Sequence, residues 1–174
     1  RERLKRHIFR QALAEDGDSW QPGDWSLQGG EALSGVKTNV PFASSADVLV
    51  VGLAGGGLAV VESGAAGLSF EKLPGADRTR RIERVTFDAT PCEVLPGGAD
   101  ASGRLRDVGL VLLAADAFGG ASRCIDMAVE YAKTREQFGV TIGHFQALKH
   151  QLANMAVEIE PARGLYWYAA HAMD

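Results

Sequence analysis

The sequence predicts an α+β fold, in which an antiparallel β-barrel or sandwich domain is followed by the start of an antiparallel helix bundle. Three observations support this prediction. The length of 174 residues suffices for one ordinary domain or two small ones. Up to residue 100, short runs rich in valine and leucine alternate with glycine-containing turns. From Ala101 onward, apolar residues recur every three or four positions, which is the helical period.

The β-domain is predicted over residues 1–100, and its first ten residues are expected to be the tail of a preceding helical region. Residues 82–87 show the clearest alternation of apolar and polar side chains. Turns such as Pro74-Gly75 separate such runs at intervals typical of a sandwich or barrel. The predicted strand runs are 12–14, 25–27, 33–40, 48–53, 58–62, 68–72, 82–87 and 92–95.

Two long helices are predicted over residues 101–174. The first has an apolar stripe from Leu105 to Ala132, about 42 Å long at ~1.5 Å per residue. The second runs from Phe145 to the chain end, with Pro161 expected to kink it. Two helices cannot bury such stripes alone, so we expect further helices or another subunit to cover them. Because the stripe continues to Asp174 and no methionine opens the chain, we expect a longer parent protein.

The composition argues against several classes of partner. A net charge of −4 argues against nucleic acid, which needs a basic surface. Four histidines and two cysteines lack the spacing of metal or redox motifs, and the cysteines suit a reducing cytoplasm. The sequence contains no run of eighteen apolar residues, so it predicts no membrane span.

The run VLVVGLAGGG, residues 48–57, has two interpretations. A buried strand followed by glycines is typical of the phosphate-binding turn of a dinucleotide fold. That turn needs a helix behind it, whereas residues 58–62 are short and strand-like. We therefore favour a β-hairpin turn over the nucleotide-binding turn.

Residues 131–150, YAKTREQFGVTIGHFQALKH, concentrate charged, aromatic and amide side chains between the two helices. Arg135 offers a guanidinium group that can bind phosphate oxygens bidentately, and Gln137 adds an amide donor and acceptor. Phe138 and Phe145 supply aromatic faces for a flat ring. The alternative is a plain interhelical loop, with the arginine on the last helical carbonyls and both aromatic rings in the core.

In either case, residues 135–139 are expected to end the first helix. Gly139 is expected just past that end, in the left-handed conformation that favours glycine.

The same stretch resembles the RxQFGxxIxxFQ segment of the acyl-CoA dehydrogenase family, and the flanking residues 131–132 and 149–163 also agree. The resemblance implies a middle β-domain followed by the first two helices of a C-terminal four-helix bundle. It also implies FAD as the cofactor and assembly into homo- or hetero-oligomers, as dimers or tetramers. The residues that it assigns to FAD contacts here are Arg135, Gln137, Phe138, Ile142 and Phe145.

Residues 33–47, LSGVKTNVPFASSAD, resemble a segment that lies along the flavin ring in this family. The resemblance assigns Asn39 and Val40 to the flavin site. Many members have tryptophan or phenylalanine at the position of Asn39, and threonine at the position of Pro41. We expect Lys37 to be a solvated strand lysine.

Residues 11–19, QALAEDGDS, resemble the family's TEPxAGSD turn. Glu15 matches its acid, whereas Ala14 replaces a threonine or serine. Leu13 and Ala14 are therefore expected to be weak flavin contacts at best.

The resemblance provides no catalytic base within the chain. Some members carry the base on the first bundle helix, at a position matching Gly109, and most carry it on later helices beyond Asp174. An arginine that assists near the thioester matches Leu110. Asp116 lies on the same helix, where a cap or interface salt bridge is the competing role.

The implied activity is oxidation of an acyl-CoA thioester to the 2,3-enoyl-CoA, with transfer of electrons to an acceptor and with the base outside this span. The first alternative is a non-catalytic subunit that contacts FAD in a hetero-oligomer. The second is a binding module of strands and helices without flavin.

Overall fold

The computed structural model describes residues 8–15, 17 and 21–173. They belong to two compact units, a β unit up to Arg106 and a helical unit from Asp107 onward. The predicted α+β class is confirmed. Of the ten residues predicted to be the tail of a preceding helical region, Phe9 and Arg10 belong to a strand, and residues 1–7 lie outside the described part.

Two sheets build the β unit. One has the strand order β1-β3-β4-β7, and the other has the order β2-β6-β5. The strands are β1 (Phe9–Ala12), β2 (Ala32–Pro41), β3 (Val48–Leu53), β4 (Gly57–Glu62), β5 (Leu68–Lys72), β6 (Ile82–Pro91) and β7 (Glu93–Leu95).

The expected antiparallel barrel or sandwich needs correction on two points. Strand β1 pairs in parallel with β3, because the chain between them passes through β2 of the other sheet, and parallel strands require such a crossover. Neither sheet closes on itself among the described strands, so there is no barrel here. The predicted run 25–27 forms no strand, although Trp25 and Leu27 are buried.

The core of the β unit lies between inward-facing residues of both sheets. Its largest cluster consists of branched aliphatic side chains with one aromatic ring, and these include Leu33, Leu49, Val51, Val61, Val85 and Phe87. A second cluster joins Leu13, Trp25 and Leu58 to Ala101 and Leu105. Removing this apolar surface from water is the main stabilising contribution to the unit.

The glycine-rich run at residues 48–57 forms a β-hairpin. This is the interpretation that the sequence favoured over a nucleotide-binding turn. Strands β3 and β4 pair antiparallel around a 3-10 turn at Ala54–Gly56. Gly55 and Gly56 have φ of +71° and +81°, values that glycine adopts without strain. A strand, rather than a helix N-terminus, follows the turn, so the geometry that binds a pyrophosphate is absent from this described turn.

Two helices dominate the rest of the chain: α1 (Gly98–Thr134) and α2 (Gln146–His171). Helix α2 contains Pro161 within its span. In the helical unit, the Phe118 and Tyr166 rings lie 5.6 Å apart, and the Arg163 guanidinium lies 4.7 Å from the centre of the Phe118 ring. By length and composition alone α1 could cross a membrane, although a helix from the interior of a helical protein meets the same criteria.

The end of α1 differs from the prediction. The helix stops at Thr134, and residues 136–141 form a short hairpin of strands β8 (Glu136–Gln137) and β9 (Val140–Thr141). A 3-10 turn at Ile142–His144 then leads into α2. The predicted helix end at residues 135–139 is therefore wrong, because Glu136 and Gln137 pair with Thr141 and Val140 instead of continuing α1.

Two glycines of the helical unit predict opposite effects of substitution by alanine. Gly120→Ala should stabilise the protein by about 0.5–1 kcal/mol, because Gly120 lies within α1 and a Cβ there meets nothing within 4 Å. Gly143→Ala should destabilise it by about 1–3 kcal/mol, because that Cβ would lie 2.9 Å from the Ala132 carbonyl oxygen. Urea unfolding of both variants provides the measurement, and equal midpoints would contradict the packing at Gly143.

Candidate functional site

An open pocket of about 230 Å³ lies at one edge of the β unit. It brings together the two segments that sequence resemblance assigned separately to the flavin ring, namely the segment after β1 and the end of β2. Its walls are mainly apolar and are formed by Phe9, Arg10, Gln11, Leu13, Ala14, Thr38, Asn39 and Pro41. The pocket is smaller than complete sites for drug-sized ligands, which are about 300–1,000 Å³.

A bulge in β2 decides which side chains face this pocket. The register against β6 shifts between Lys37 and Val40, so β2 has one more residue than its partner there. Asn39, with φ of +54°, is exposed and lines the pocket. Val40 is buried in the main core cluster. Of the two predicted residues in this segment, therefore, only Asn39 presents its side chain to the pocket.

Lys37 contradicts the expectation of a solvated lysine, because its side chain is 0% exposed. Its Nζ donates to Glu15 Oε1 at 2.6 Å and to the Leu13 carbonyl oxygen at 3.1 Å. Nζ also lies 5.4 Å from the centre of the Trp25 ring. The sequence signal for this burial is the period of two from Leu33, which places Lys37 on the core side of β2.

Glu15 is the partner that makes this burial possible. Besides Lys37, its carboxylate accepts hydrogen bonds from the backbone and hydroxyl of Ser26 and from the backbone of Leu27. Burial raises the pKa of Glu15, but the hydrogen bonds from Lys37, Ser26 and Leu27 outweigh it and lower the pKa to about 2. Burial lowers the pKa of Lys37, an effect that the Glu15 carboxylate opposes.

The second candidate region is the hairpin that follows α1. The Arg135 backbone holds its base, since its N–H donates to the Tyr131 carbonyl and its carbonyl accepts from the Ile142 N–H. Phe138 and Gly139 have φ of +54° and +80°, as expected at the two central residues of a type I′ turn. Gly139 thus has the predicted left-handed conformation, but in a hairpin turn instead of a helix cap.

The hairpin presents its predicted site residues to the outside. Phe138 is 92% exposed, and its ring lies perpendicular to that of Phe145, with centres 6.1 Å apart. Gln137 is exposed, and its amide donates to the neighbouring Glu136 carbonyl. Ile142 is half-buried. The plain-loop interpretation, with both rings in the core, does not describe this geometry.

Arg135 is exposed as well. Within the described part of the chain, no hydrogen bond or ion pair engages its guanidinium group. The hairpin therefore offers a free cation and an aromatic pair on a hydrogen-bonded support.

The acidic residues of α1 are weaker candidates for a functional site than the pocket or the hairpin. Asp116 is exposed and seven residues from Gly109, roughly 10 Å along the helix at ~1.5 Å per residue. Among the described residues, no group of three histidine, cysteine, aspartate or glutamate side chains could hold a metal ion.

Comparison with known proteins explains why the pocket segments and the hairpin segment occur in one chain. The C-terminal domain of acyl-CoA dehydrogenases matches residues 101–174. The acyl-CoA dehydrogenase IpdE2 of Mycobacterium tuberculosis is 45% identical over 97 residues, which cover 55% of this chain and 28% of IpdE2. The chain belongs to the acyl-CoA dehydrogenase family. The Mycolicibacterium smegmatis IpdE2 is 33% identical over 142 residues, which cover 80% of this chain and 42% of that protein.

Solved structures of acyl-CoA dehydrogenases share the fold. The Tcur3481-Tcur3483 steroid ACAD superposes with a TM-score of 0.81 at 36% identity, covering 94% of this chain and 46% of that one. A glutaryl-coenzyme A dehydrogenase in complex with glutaryl-CoA gives 0.82 at 27% identity, covering 94% and 47%. The chain thus spans less than half the length of each of these relatives.

The low pKa of Glu15 predicts an acid-dependent loss of stability. Because its folded pKa of about 2 lies below the ordinary value of 4.5, Glu15 stabilises the fold above pH 4.5, and this contribution disappears as the pH falls toward 2. Between pH 5 and pH 3 the loss should be about 2 kcal/mol.

Urea unfolding at several pH values tests this expectation. Glu15→Gln should flatten the pH dependence of the free energy of unfolding, while the exposed control Glu31→Gln should keep the dependence of the parent. A Glu15→Gln variant with the parent's full pH dependence would contradict the ion pair.

Proposed function

We propose that this chain is part of an FAD-dependent acyl-CoA dehydrogenase that oxidises an acyl-CoA thioester to the 2,3-enoyl-CoA. The observation that carries the proposal is the hydrogen-bonded hairpin after α1, where an exposed aromatic pair lies beside an exposed guanidinium group that has no ion pair among the described residues. Exposing a phenylalanine ring to water forgoes about 1.5–3 kcal/mol of burial energy, which a bound ligand or partner would recover.

The residues of the hairpin fit a flavin dinucleotide. Arg135 and Gln137 would bind its diphosphate, because a guanidinium fork and an amide supply the donors that phosphate oxygens accept. Phe138 and Phe145 would contact its flat groups, with Ile142 behind them. When bound, FAD supplies a hydride acceptor for the β-carbon of the thioester.

The pocket of the β unit fits a flat ring by shape. Leu13, Ala14 and Pro41 offer apolar walls, and Asn39 supplies one exposed amide. Ala14 and Pro41 have no hydroxyl group, so two hydrogen bonds typical of the family would be missing. The flavin would therefore be held with fewer polar contacts, and its reactivity would be tuned differently.

The second candidate is a non-catalytic subunit that contacts a flavin bound mainly by a partner chain. The outward-facing hairpin, the reduced polarity of the pocket and Gly109 at a base position favour it. In either case we propose a cytoplasmic homo- or hetero-oligomer, dimeric or tetrameric, that passes electrons to an acceptor protein. The helical unit supports this assembly with strongly exposed apolar side chains at Leu112, Val157, Leu165, Trp167 and Tyr168.

Flavin bound by the purified protein would exclude a flavin-free binding module. The purified protein should be yellow and show flavin absorbance, whereas a colourless protein that fails to take up added FAD would contradict the first candidate.

Arg135→Ala should weaken FAD binding with little effect on the fold. Loss of one charge-assisted contact costs about 1.5–3 kcal/mol, which corresponds to roughly a ten- to hundredfold higher Kd. Titration of the apo-protein with FAD measures this change. Arg123→Ala is the matched control, because it removes an exposed arginine of α1 that has no assigned ligand role. If Arg135→Ala and the parent bind FAD equally, Arg135 has no role in cofactor binding.

The 174 residues alone should not turn over an acyl-CoA. Abstraction of the α-proton requires a base within hydrogen-bond reach, and Gly109 cannot provide one. Asp116, about two helical turns further on, lies roughly 10 Å away along the helix at ~1.5 Å per residue. A dye-reduction assay over several acyl-CoA lengths and one steroid-type thioester provides the measurement. Clear turnover that Asp116→Asn abolishes would overturn this expectation and make Asp116 the base.

A further inference from the structure

The two walls of the β-unit pocket are joined by an unusual set of bonds. One wall consists of Leu13 and Ala14, and the other begins at Thr38 in the β2 bulge. The Thr38 backbone N–H donates to the Ala14 carbonyl at 2.9 Å. Lys37 Nζ bonds the residues on either side of Ala14, at the carbonyl of Leu13 and the carboxylate of Glu15. Side-chain and backbone bonds thus fix the same three-residue segment against the second wall.

Glu15 connects this segment to the core as well. Both of its carboxylate oxygens accept from the Ser26 N–H, and one also accepts from the Leu27 N–H. Leu27 belongs to the main core cluster, and Trp25 packs with Leu13 in the second cluster. Through its bonds to Ser26 and Leu27, Glu15 therefore ties the pocket wall at Ala14 to the core of the β unit.

Stability alone does not explain a fully buried lysine at this position. Taking an ammonium group out of water costs several kcal/mol, and apolar residues of similar volume often stabilise a fold as well or better than a buried ion pair. The hydrogen bonds of an ion pair are directional, however, so they fix the positions of both side chains. The bonds made by Lys37 converge on the segment that forms one pocket wall.

We infer that Lys37 and Glu15 are positioning residues that hold the two pocket walls at the separation a flat flavin ring requires. This inference rests on the proposed function. Neither side chain is among the residues that line the pocket, so both act through the backbone of residues 13–14 and 38–39.

The experiment compares four variants with the parent, using FAD titration, the flavin absorbance spectrum and urea unfolding. Lys37→Met and Glu15→Gln should each lower stability and raise the Kd for FAD at least about tenfold. The double variant Lys37→Met/Glu15→Gln should regain much of the stability, because no buried charge remains unpaired, yet keep the weakened binding and a shifted flavin spectrum. Val61→Ala should lose stability in the core and keep the parent's Kd and spectrum.

The outcomes are distinguishable. If the double variant binds FAD with the parent's Kd and spectrum, the pair is purely structural and the inference is overturned while the proposed function stands. The same holds if Val61→Ala weakens FAD binding as much as the pair variants do. If the parent itself binds no FAD, the proposed function and this inference fail together.

Discussion

Burying the Lys37 ammonium group is the constraint on which the local structure of the β unit depends. A charge without water needs a counter-charge and satisfied donors, and Glu15 and the Leu13 carbonyl provide them at 2.6 and 3.1 Å. Glu15 in turn must be held in place, and the backbone of Ser26 and Leu27 does so. The irregular segment 25–27 therefore enters no sheet, because the N–H groups of Ser26 and Leu27 donate to a carboxylate instead of to a neighbouring strand.

The bulge in β2 is linked to the same constraint. A regular strand would place Lys37 and Asn39 on one face and Thr38 and Val40 on the other. The extra residue breaks this alternation, so Lys37 and Val40 are both buried while Asn39 is exposed at the pocket. One irregularity thus allows a buried cation, a continuous core and an exposed side chain at the pocket within four consecutive residues.

The sequence predicted those features that depend on periodicity. Strands β3 and β5 have the predicted bounds, and α1 begins three residues before Ala101, because alternating or helical spacing of apolar residues is local information. The burial of Lys37 could not be predicted with equal ease, since its partner lies 22 residues earlier across an irregular segment. Residues 135–139 were predicted to end a helix because Gly139 suits the left-handed position just past a helix end, but the same conformation also suits a tight hairpin turn, and the pairing of β8 with β9 produces the hairpin.

The pocket and the hairpin share one feature, which is a residue with a side chain in the left-handed backbone conformation. Positive φ is costly for a residue with a side chain, on the order of 1–3 kcal/mol, and strained residues concentrate at ligand sites. Asn39 and Phe138 both have φ of +54°, and both are residues assigned to the flavin by resemblance. In each case a hydrogen-bonded support maintains the conformation: the β2–β6 ladder around Asn39 and the β8–β9 pair around Phe138. Glycine at either position would relieve the strain but would remove the amide or the ring. Phe42 and Ala89 also have positive φ, of +52° and +47°, so this conformation is not confined to residues assigned to the flavin. At Asn39 and Phe138, however, it places a side chain at the pocket and on the hairpin, where a ligand could reach it.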